Sequence, residues 1–407
     1  MDGLVIGIDL CNEYTQVSCA KEDKAWTIPT VICRSKNADE WYIGEEAYAH
    51  NLTGDGIIVD QLVKLVLKDG TATLREVKYE GLDLMKLFVK KVLEFPEQEY
   101  GVMNVRQLVF TIRKLEPKLL AAIYACAEDL QIPKERVHVI SHTESFVYYI
   151  LSQKKEIWNN LVGMFDLSED RLRYYEMKVQ RGLKKTIVIA EYEDLEEGFN
   201  LDILNTPSGA RLGDKILCSC AERLMQKKLY SSMFLAGKGF LKRDWAEDFM
   251  KMLCLKRRVY MEPVVFAKGA AYKAADHLNE TTSYPFTCVC EGRLNTTVSL
   301  NARHKGQDTS VVIASAGDNW YEMSAELDVI TEDQDFVELT LTPLDARKKK
   351  VVNIPLEGFP KRPERTTRVR IRVTFLDEKT MAVTLKDQGF GELYPASGIQ
   401  IRQEVMI

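Results

Sequence analysis

No apolar run in this 407-residue chain approaches the ~18 residues a helix needs to cross a bilayer. No basic flank precedes the apolar stretch from Leu4 to Leu10, so that stretch reads as a core strand and not as an export leader. Charge of one sign is also missing: 55 Lys and Arg against 60 Asp and Glu leave a formal net charge of −5, which argues against nucleic-acid binding. The nine cysteines are odd in number and lack a compact spacing, which fits reduced thiols in a cytoplasmic protein better than a disulfide framework. Cys218-Ser219-Cys220 and Cys288-Val289-Cys290 are each separated by a single residue, closer than zinc pairs usually stand. Asn51, Asn279 and Asn295 open glycosylation-like triplets that carry no meaning without secretion. What remains, with 46% hydrophobic and 28% charged residues, is a globular composition long enough for two or three domains.

What is present is a repeat. Leu4-Val5-Ile6-Gly7-Ile8-Asp9-Leu10 returns as Leu161-Val162-Gly163-Met164-Phe165-Asp166-Leu167, the aspartates 166 − 9 = 157 positions apart. Each copy is an apolar strand that ends in Asp-Leu, followed by small or polar residues and a second strand, Tyr14 to Ala20 or Arg171 to Val179. Two β-hairpins with a carboxylate at the tip predict a duplicated α/β unit folded around a cleft. Between them the period alternates: helices are expected over Asp83 to Leu93, Glu116 to Leu130 and Glu144 to Gln153, and strands over Gln107 to Ile112 and Val137 to Ile140. That β-α-β-α order implies parallel strands joined by crossover helices.

Beyond about Thr281 the period becomes two. Val369, Ile371, Val373 and Phe375 alternate with Arg368, Arg370, Arg372 and Thr374, and Met381, Val383 and Leu385 repeat the pattern. With Phe286 to Val298, Ser310 to Ala314, Tyr321 to Val329, Phe336 to Leu341 and Ile399 to Val405 this predicts a β-sandwich of about eight strands. The basic runs Arg347 to Lys350 and Lys361 to Arg372 sit beside the acidic run Glu332 to Asp335 and read as charged hairpin ends and edge protection.

Taken in order, these segments resemble the DnaK-type, seventy-kilodalton heat-shock chaperones of the actin and sugar-kinase superfamily. The likeness rests on Gly7-Ile8-Asp9-Leu10, Ile28-Pro29-Thr30-Val31 and Tyr42-Ile43-Gly44-Glu45-Glu46-Ala47. Later come Phe234-Leu235-Ala236-Gly237-Lys238-Gly239, similar to that family's adenosine loop, and Glu262 to Ala271, similar to the helix that follows it. Leu356-Glu357-Gly358-Phe359-Pro360 and Lys386-Asp387-Gln388-Gly389-Phe390-Gly391 resemble the closing strands of its peptide-binding sandwich. The helical lid that follows the sandwich there is missing before Ile407.

The resemblance implies a duplicated actin-like (ribonuclease H-like) nucleotide-binding fold over 1–280, with lobes of about 1–158 and 159–280, then a sandwich over 281–407 that takes protein or peptide segments. It implies Asp9 and Asp166 as the catalytic carboxylates, holding magnesium through water. Asn12, Ser168, Gly237, Lys238 and Gly239 are the residues it places around ATP or ADP, and Lys64 is the nearest match to its catalytic lysine.

The chain departs from that pattern where phosphate should sit. Cys11, Asn12 and Glu13 replace a glycine and hydroxyls, and Ser168, Glu169, Asp170 and Arg171 replace a run of glycines. At an effective dielectric of ~20 and ~5 Å, one carboxylate costs a bound anion about 3 kcal/mol. The expectation is a chaperone-like interaction module with a weak or lost nucleotide site. The alternative is an active magnesium-dependent ATPase in which Arg171 or Lys238 compensates. Between the lobes, His142 and Glu144 are candidates to face the cleft, and Ser141 or Thr143 to cap the helix.

Overall fold

The computed structural model describes residues 3–20, 24–101, 104–168, 171–181, 186–242, 244–255, 257–304, 306–332, 335–344 and 348–407. Two compact units, Met1–Phe286 and Thr287–Ile407, divide the chain. Among the described residues no helix is long and apolar enough to cross a membrane.

The first unit is mixed α/β and holds two sheets of one plan. β1 (Leu4–Leu10), β2 (Tyr14–Cys19) and β3 (Ala25–Pro29) run antiparallel. A side sheet of β4 (Ile32–Ser35), β5 (Trp41–Ile43) and β6 (Gly56–Val59) surrounds α1 (Gly44–Leu52). It is followed by α2 (Leu62–Leu67), the hairpin β7 (Thr71–Leu74) and β8 (Val77–Glu80), and α3 (Gly81–Tyr100). Then β9 (Val105–Ile112), α4 (Pro117–Asp129), β10 (Val137–Ser141) and α5 (His142–Leu151) complete the first lobe, with β9 and β10 added in parallel to give the order β10-β9-β1-β2-β3.

The second lobe repeats this. β11 (Leu161–Ser168), β12 (Arg171–Gln180) and β13 (Thr186–Asp194) are antiparallel, and α6 (Pro207–Met225), β14 (Tyr230–Ala236), α7 (Glu247–Cys254), β15 (Arg258–Met261) and α8 (Val265–Asp276) follow. β14 and β15 join in parallel, giving β15-β14-β11-β12-β13. The hairpins share their register: Asp9 lies opposite Gln16 and Asp166 opposite Arg173, and 166 − 9 and 173 − 16 are both 157.

β1 is buried along its whole length, as a central strand covered on both faces must be. Each lobe's last helix serves the other lobe: α8 packs on β1 and β9 of the first sheet, while α5 packs on α8 and on β13 of the second. A Cβ on Gly7 would lie 2.2 Å from the backbone of Ala267 and Ala271, and one on Gly269 would lie 2.0 Å from the carbonyl oxygen of Ser145. Strand, helix and helix therefore meet backbone to backbone, with Ala267, Ala270, Ala271 and Ala274 keeping that face of α8 small. Ser145 Oγ donates to the Phe266 carbonyl at 2.5 Å where the helices cross. Every residue of α5 from His142 to Ile150 is buried.

The second unit is all antiparallel. β16 (Phe286–Val289) spans the boundary between the units. β17 (Thr296–His304), β18 (Gln307–Ala314), β19 (Ser324–Ile330), β20 (Phe336–Pro343), β21 (Lys350–Pro355), β22 (Arg368–Phe375), β23 (Thr380–Asp387) and β24 (Gln400–Met406) form sheets β18-β17-β20-β21 and β19-β22-β23-β24. Val298, Leu300, Leu339, Leu341 and Ile354 from one sheet meet Val369, Ile371, Val373, Met381, Val383 and Leu385 from the other. The expected single strand from Phe286 to Val298 is broken, because Gly292 turns the chain in the left-handed region (φ 88°) and pairing resumes only at Thr296. In the basic row of β22, Arg370 forks onto Asp328 of β19 at 2.8 and 3.0 Å, a cross-strand ion pair. Arg347, Asp333 and Gln334 lie outside the described residues.

One charge inside the sandwich carries weight. Asp387 is fully buried and accepts two bonds from Arg362 at 2.7 Å, one from Gly389 N at 3.0 Å and one from Ser397 N at 2.8 Å. These donors hold its carboxyl well below the usual range, the Arg362 bonds first. A depressed carboxylate stabilises the fold above its unfolded value of about 4, and that contribution is lost as the pH falls toward the folded value. Asp387→Asn is expected to cost about 3–5 kcal/mol at neutral pH, and its gap from the parent to narrow below about pH 4 in chemical denaturation followed against pH. Gly269→Ala is expected to lower stability by about 1–3 kcal/mol despite alanine's better helix propensity, because the new methyl meets backbone that cannot rotate away. Thermal unfolding of the purified variant checks it.

Candidate functional site

The parallel ladder β10-β9-β1 sets the carboxyl ends of three strands side by side, the edge at which open α/β sheets usually bind ligands. β1 delivers Asp9 there, and Cys11 two residues on, at the start of the turn closed by Cys11 N donating to Tyr14 O at 3.2 Å. β10 ends at Ser141, whose hydroxyl caps α5 by accepting from Glu144 N at 3.1 Å, so of the two expected candidates, Ser141 and Thr143, Ser141 is the cap. The next residue, His142, extends back to the first hairpin. Its Nε2 lies 2.7 Å from Asp9 Oδ1 and 3.9 Å from Cys11 Sγ, and the Cys11 thiol donates to the same Oδ1 at 3.3 Å. The ring is held flat against Phe266 at 3.9 Å, with 2% of His142 and of Asp9 exposed.

At the second tip, Asp166 Oδ1 accepts from Ser168 Oγ at 2.5 Å, and Arg113, just past the end of β9, brings its guanidinium to 3.8 Å from Oδ2. Burial pushes the Asp166 carboxyl above the usual carboxylate range, with Arg113 opposing the rise. Tyr14 of the first hairpin donates its phenol to Ser168 Oγ at 2.9 Å, which ties the two tips directly to each other. Its phenol is raised well above the usual value, by burial first and then by the Asp166 charge. Opposite Asp166 in the ladder, Arg173 forks onto Asp194 at 2.6 and 2.9 Å and lies 4.1 Å over the Tyr192 ring.

Asn12 Oδ1 accepts from Lys64 N at 3.2 Å, so it anchors α2. Lys64 Nζ donates to Gln61 at 3.3 Å on the exposed face of that helix. Gly237 turns at φ 90°, and a Cβ there would stand 2.5 Å from Leu167 O and Ser168 Oγ; one on Gly239 would stand 2.4 Å from the Leu167 side chain. The glycine turn thus packs under the second tip, and Gly239 O accepts from Trp245 Nε1 at 3.1 Å. Lys238 and Arg171 are exposed. Glu169 and Asp170 lie outside the described residues, and the helix that follows the glycine turn runs over Glu247–Cys254.

The structure therefore gathers Asp9 with Cys11 and His142, and Asp166 with Ser168, Tyr14, Arg113 and Gly237. A hydrated magnesium triphosphate needs carboxylates open to water and bare backbone amides for its oxygens. Here both carboxylates are buried, Asp9 Oδ1 is engaged by an imidazole and a thiol, and the Tyr14–Ser168 bond spans the tips. These residues do not fit that group unless the tips part. Cys11, Tyr14 and Arg113 are the residues that sequence reasoning missed as partners of the aspartates. The one local signal was Cys11 standing in place of glycine.

Residues 13–291 match a family of unknown function, DUF5716, in its C-terminal part, and residues 293–407 match a domain of unknown function, DUF8552. No curated protein matches the chain.

His142→Ala leaves the buried Asp9 carboxylate without its imidazole and is expected to cost about 3–5 kcal/mol. Tyr14→Phe removes only the hydroxyl that bonds Ser168 and is expected to cost about 1–3 kcal/mol. Urea unfolding of both variants, followed by far-ultraviolet circular dichroism, tests the ranking; a smaller loss for His142→Ala contradicts it.

Proposed function

We propose that this chain, which belongs to the DUF5716 family of unknown function, is a chaperone-like protein-interaction module. On this reading the first unit has the actin-like fold, with its nucleotide site converted into a closed structural core, and the β-sandwich takes extended protein segments. The observation that carries the reading is the bond from Tyr14 to Ser168, made between the two hairpin tips where phosphate would have to pass. The duplicated sheets, with aspartates in equivalent register, support descent from a two-lobed nucleotide-binding ancestor. Strand addition is the binding mode the second unit favours, because β18, β19, β21 and β24 are sheet edges with one row of ladder groups left over.

The same equivalence of Asp9 and Asp166 favours the second reading, a magnesium-dependent ATPase that works once the tips open. Thermal unfolding of the full chain with and without millimolar magnesium-ATP or magnesium-ADP separates the two. Ligand at a hundred times its dissociation constant stabilises by about 2.7 kcal/mol, a few degrees in melting temperature. No shift is expected. A clear shift, together with ATP turnover lost in Asp9→Asn and Asp166→Asn, overturns the closed-core reading. The interaction role is tested by probing an array of unfolded-protein peptides with the full chain; binding to extended segments is expected, and a blank array counts against it.

A further inference from the structure

We infer that Asp9, Cys11 and His142 form a binding site for a zinc-class divalent transition metal, a role distinct from magnesium-nucleotide chemistry and independent of the proposed interaction function. One carboxylate oxygen, one sulfur and one imidazole nitrogen converge with all three separations between 2.7 and 3.9 Å. Zinc bonds of about 2.0–2.3 Å in a tetrahedron set such donors about 3.3–3.6 Å apart. The thiol-to-carboxylate separation of 3.3 Å is already of that order. The largest adjustment is a parting of Asp9 Oδ1 and His142 Nε2 by about 0.6 Å, from hydrogen-bond length to the separation of two ligands on one ion.

The local chain is built to hold these donors. Asp9 is the penultimate residue of β1 and Cys11 the first residue past its end, and their side chains meet at 3.3 Å. His142 is the first residue of a capped helix that is buried from His142 to Ile150, and Phe266 fixes the plane of its ring. The other ring nitrogen, Nδ1, is buried and has no hydrogen-bond partner among the described residues. The ring proton has room to sit there, which frees Nε2 from its bond to Asp9 for the ion. Thiolate and carboxylate together supply two negative charges, which balance a divalent cation, and one water completes the four-coordination that a three-ligand site keeps. The donor set of sulfur, nitrogen and oxygen suits a borderline-soft ion and not magnesium. Binding takes a thiolate and a neutral imidazole with its proton on Nδ1, releases the thiol proton, and fastens the first hairpin tip to the start of α5.

The test uses the full chain purified without a metal-affinity tag. Its metal content is measured by plasma mass spectrometry, the ion is stripped with a chelator, and cobalt(II) is titrated in. One equivalent of bound metal is expected, with the ligand-field bands of tetrahedral cobalt and a thiolate-to-cobalt charge-transfer band. Cys11→Ser and His142→Gln are expected to lose these bands and to weaken binding by more than the ~10–100-fold that loss of an outer-shell partner costs. Cys254→Ser, at an exposed cysteine, is expected to keep them. Cys11→Ser replaces sulfur by oxygen with little change of shape, so it stays informative if the His142 variant does not fold. Absence of the charge-transfer band in the parent, or its persistence in Cys11→Ser, overturns the site.

Discussion

Glycines at 7 and 269 leave room for α8 to press its backbone against β1 on one side and α5 on the other, and this double contact decides where the rest of the first unit goes. Because α8 begins beyond the second sheet and packs on the first, and α5 does the reverse, neither lobe completes its own core. The reciprocal exchange sets the carboxyl ends of both sheets toward a common line. It also aims the start of α5 at the first hairpin, so that His142 reaches an aspartate 133 positions away in the chain. Interiors packed to this density transmit displacement and do not absorb it.

The polar groups on that line are buried and partnered: Asp9 is hydrogen-bonded to His142, and Asp166 is paired with Arg113. Buried ion pairs add little net stability, since desolvation offsets the attraction, but removing one partner leaves the other charge stranded. Their effect is therefore to make one arrangement of the two tips far better than its neighbours. The tyrosine-to-serine bond across the tips adds direction to what the charges specify.

The repeat of apolar run and aspartate was legible because strand periodicity is local, and each hairpin takes its register from its own turn. The same holds for the alternation in β22 and β23, and for Ser141 as a helix cap, where the backbone amide it serves is three residues on. Helix ends were less legible. α3 runs on from the expected Leu93 to Tyr100, carrying Pro96 on its buried side, because packing outweighs the cost of one lost backbone bond. The glycines at 237 and 239 read as room for an adenosine, while in the fold that room is taken by Leu167 and Ser168.

Composition, the repeat and the two periodicities by themselves determined that an α/β unit precedes an all-β one, and that two aspartates stand at hairpin tips. Each follows from interactions among residues a few positions apart, where side-chain pattern and backbone geometry are coupled. Tertiary structure alone decided what those aspartates face. Cys11 and His142 are 131 positions apart, Tyr14 and Ser168 are 154 apart, and no local rule relates them. They meet because two helices exchange lobes over a pair of glycines, a packing constraint set by the whole core.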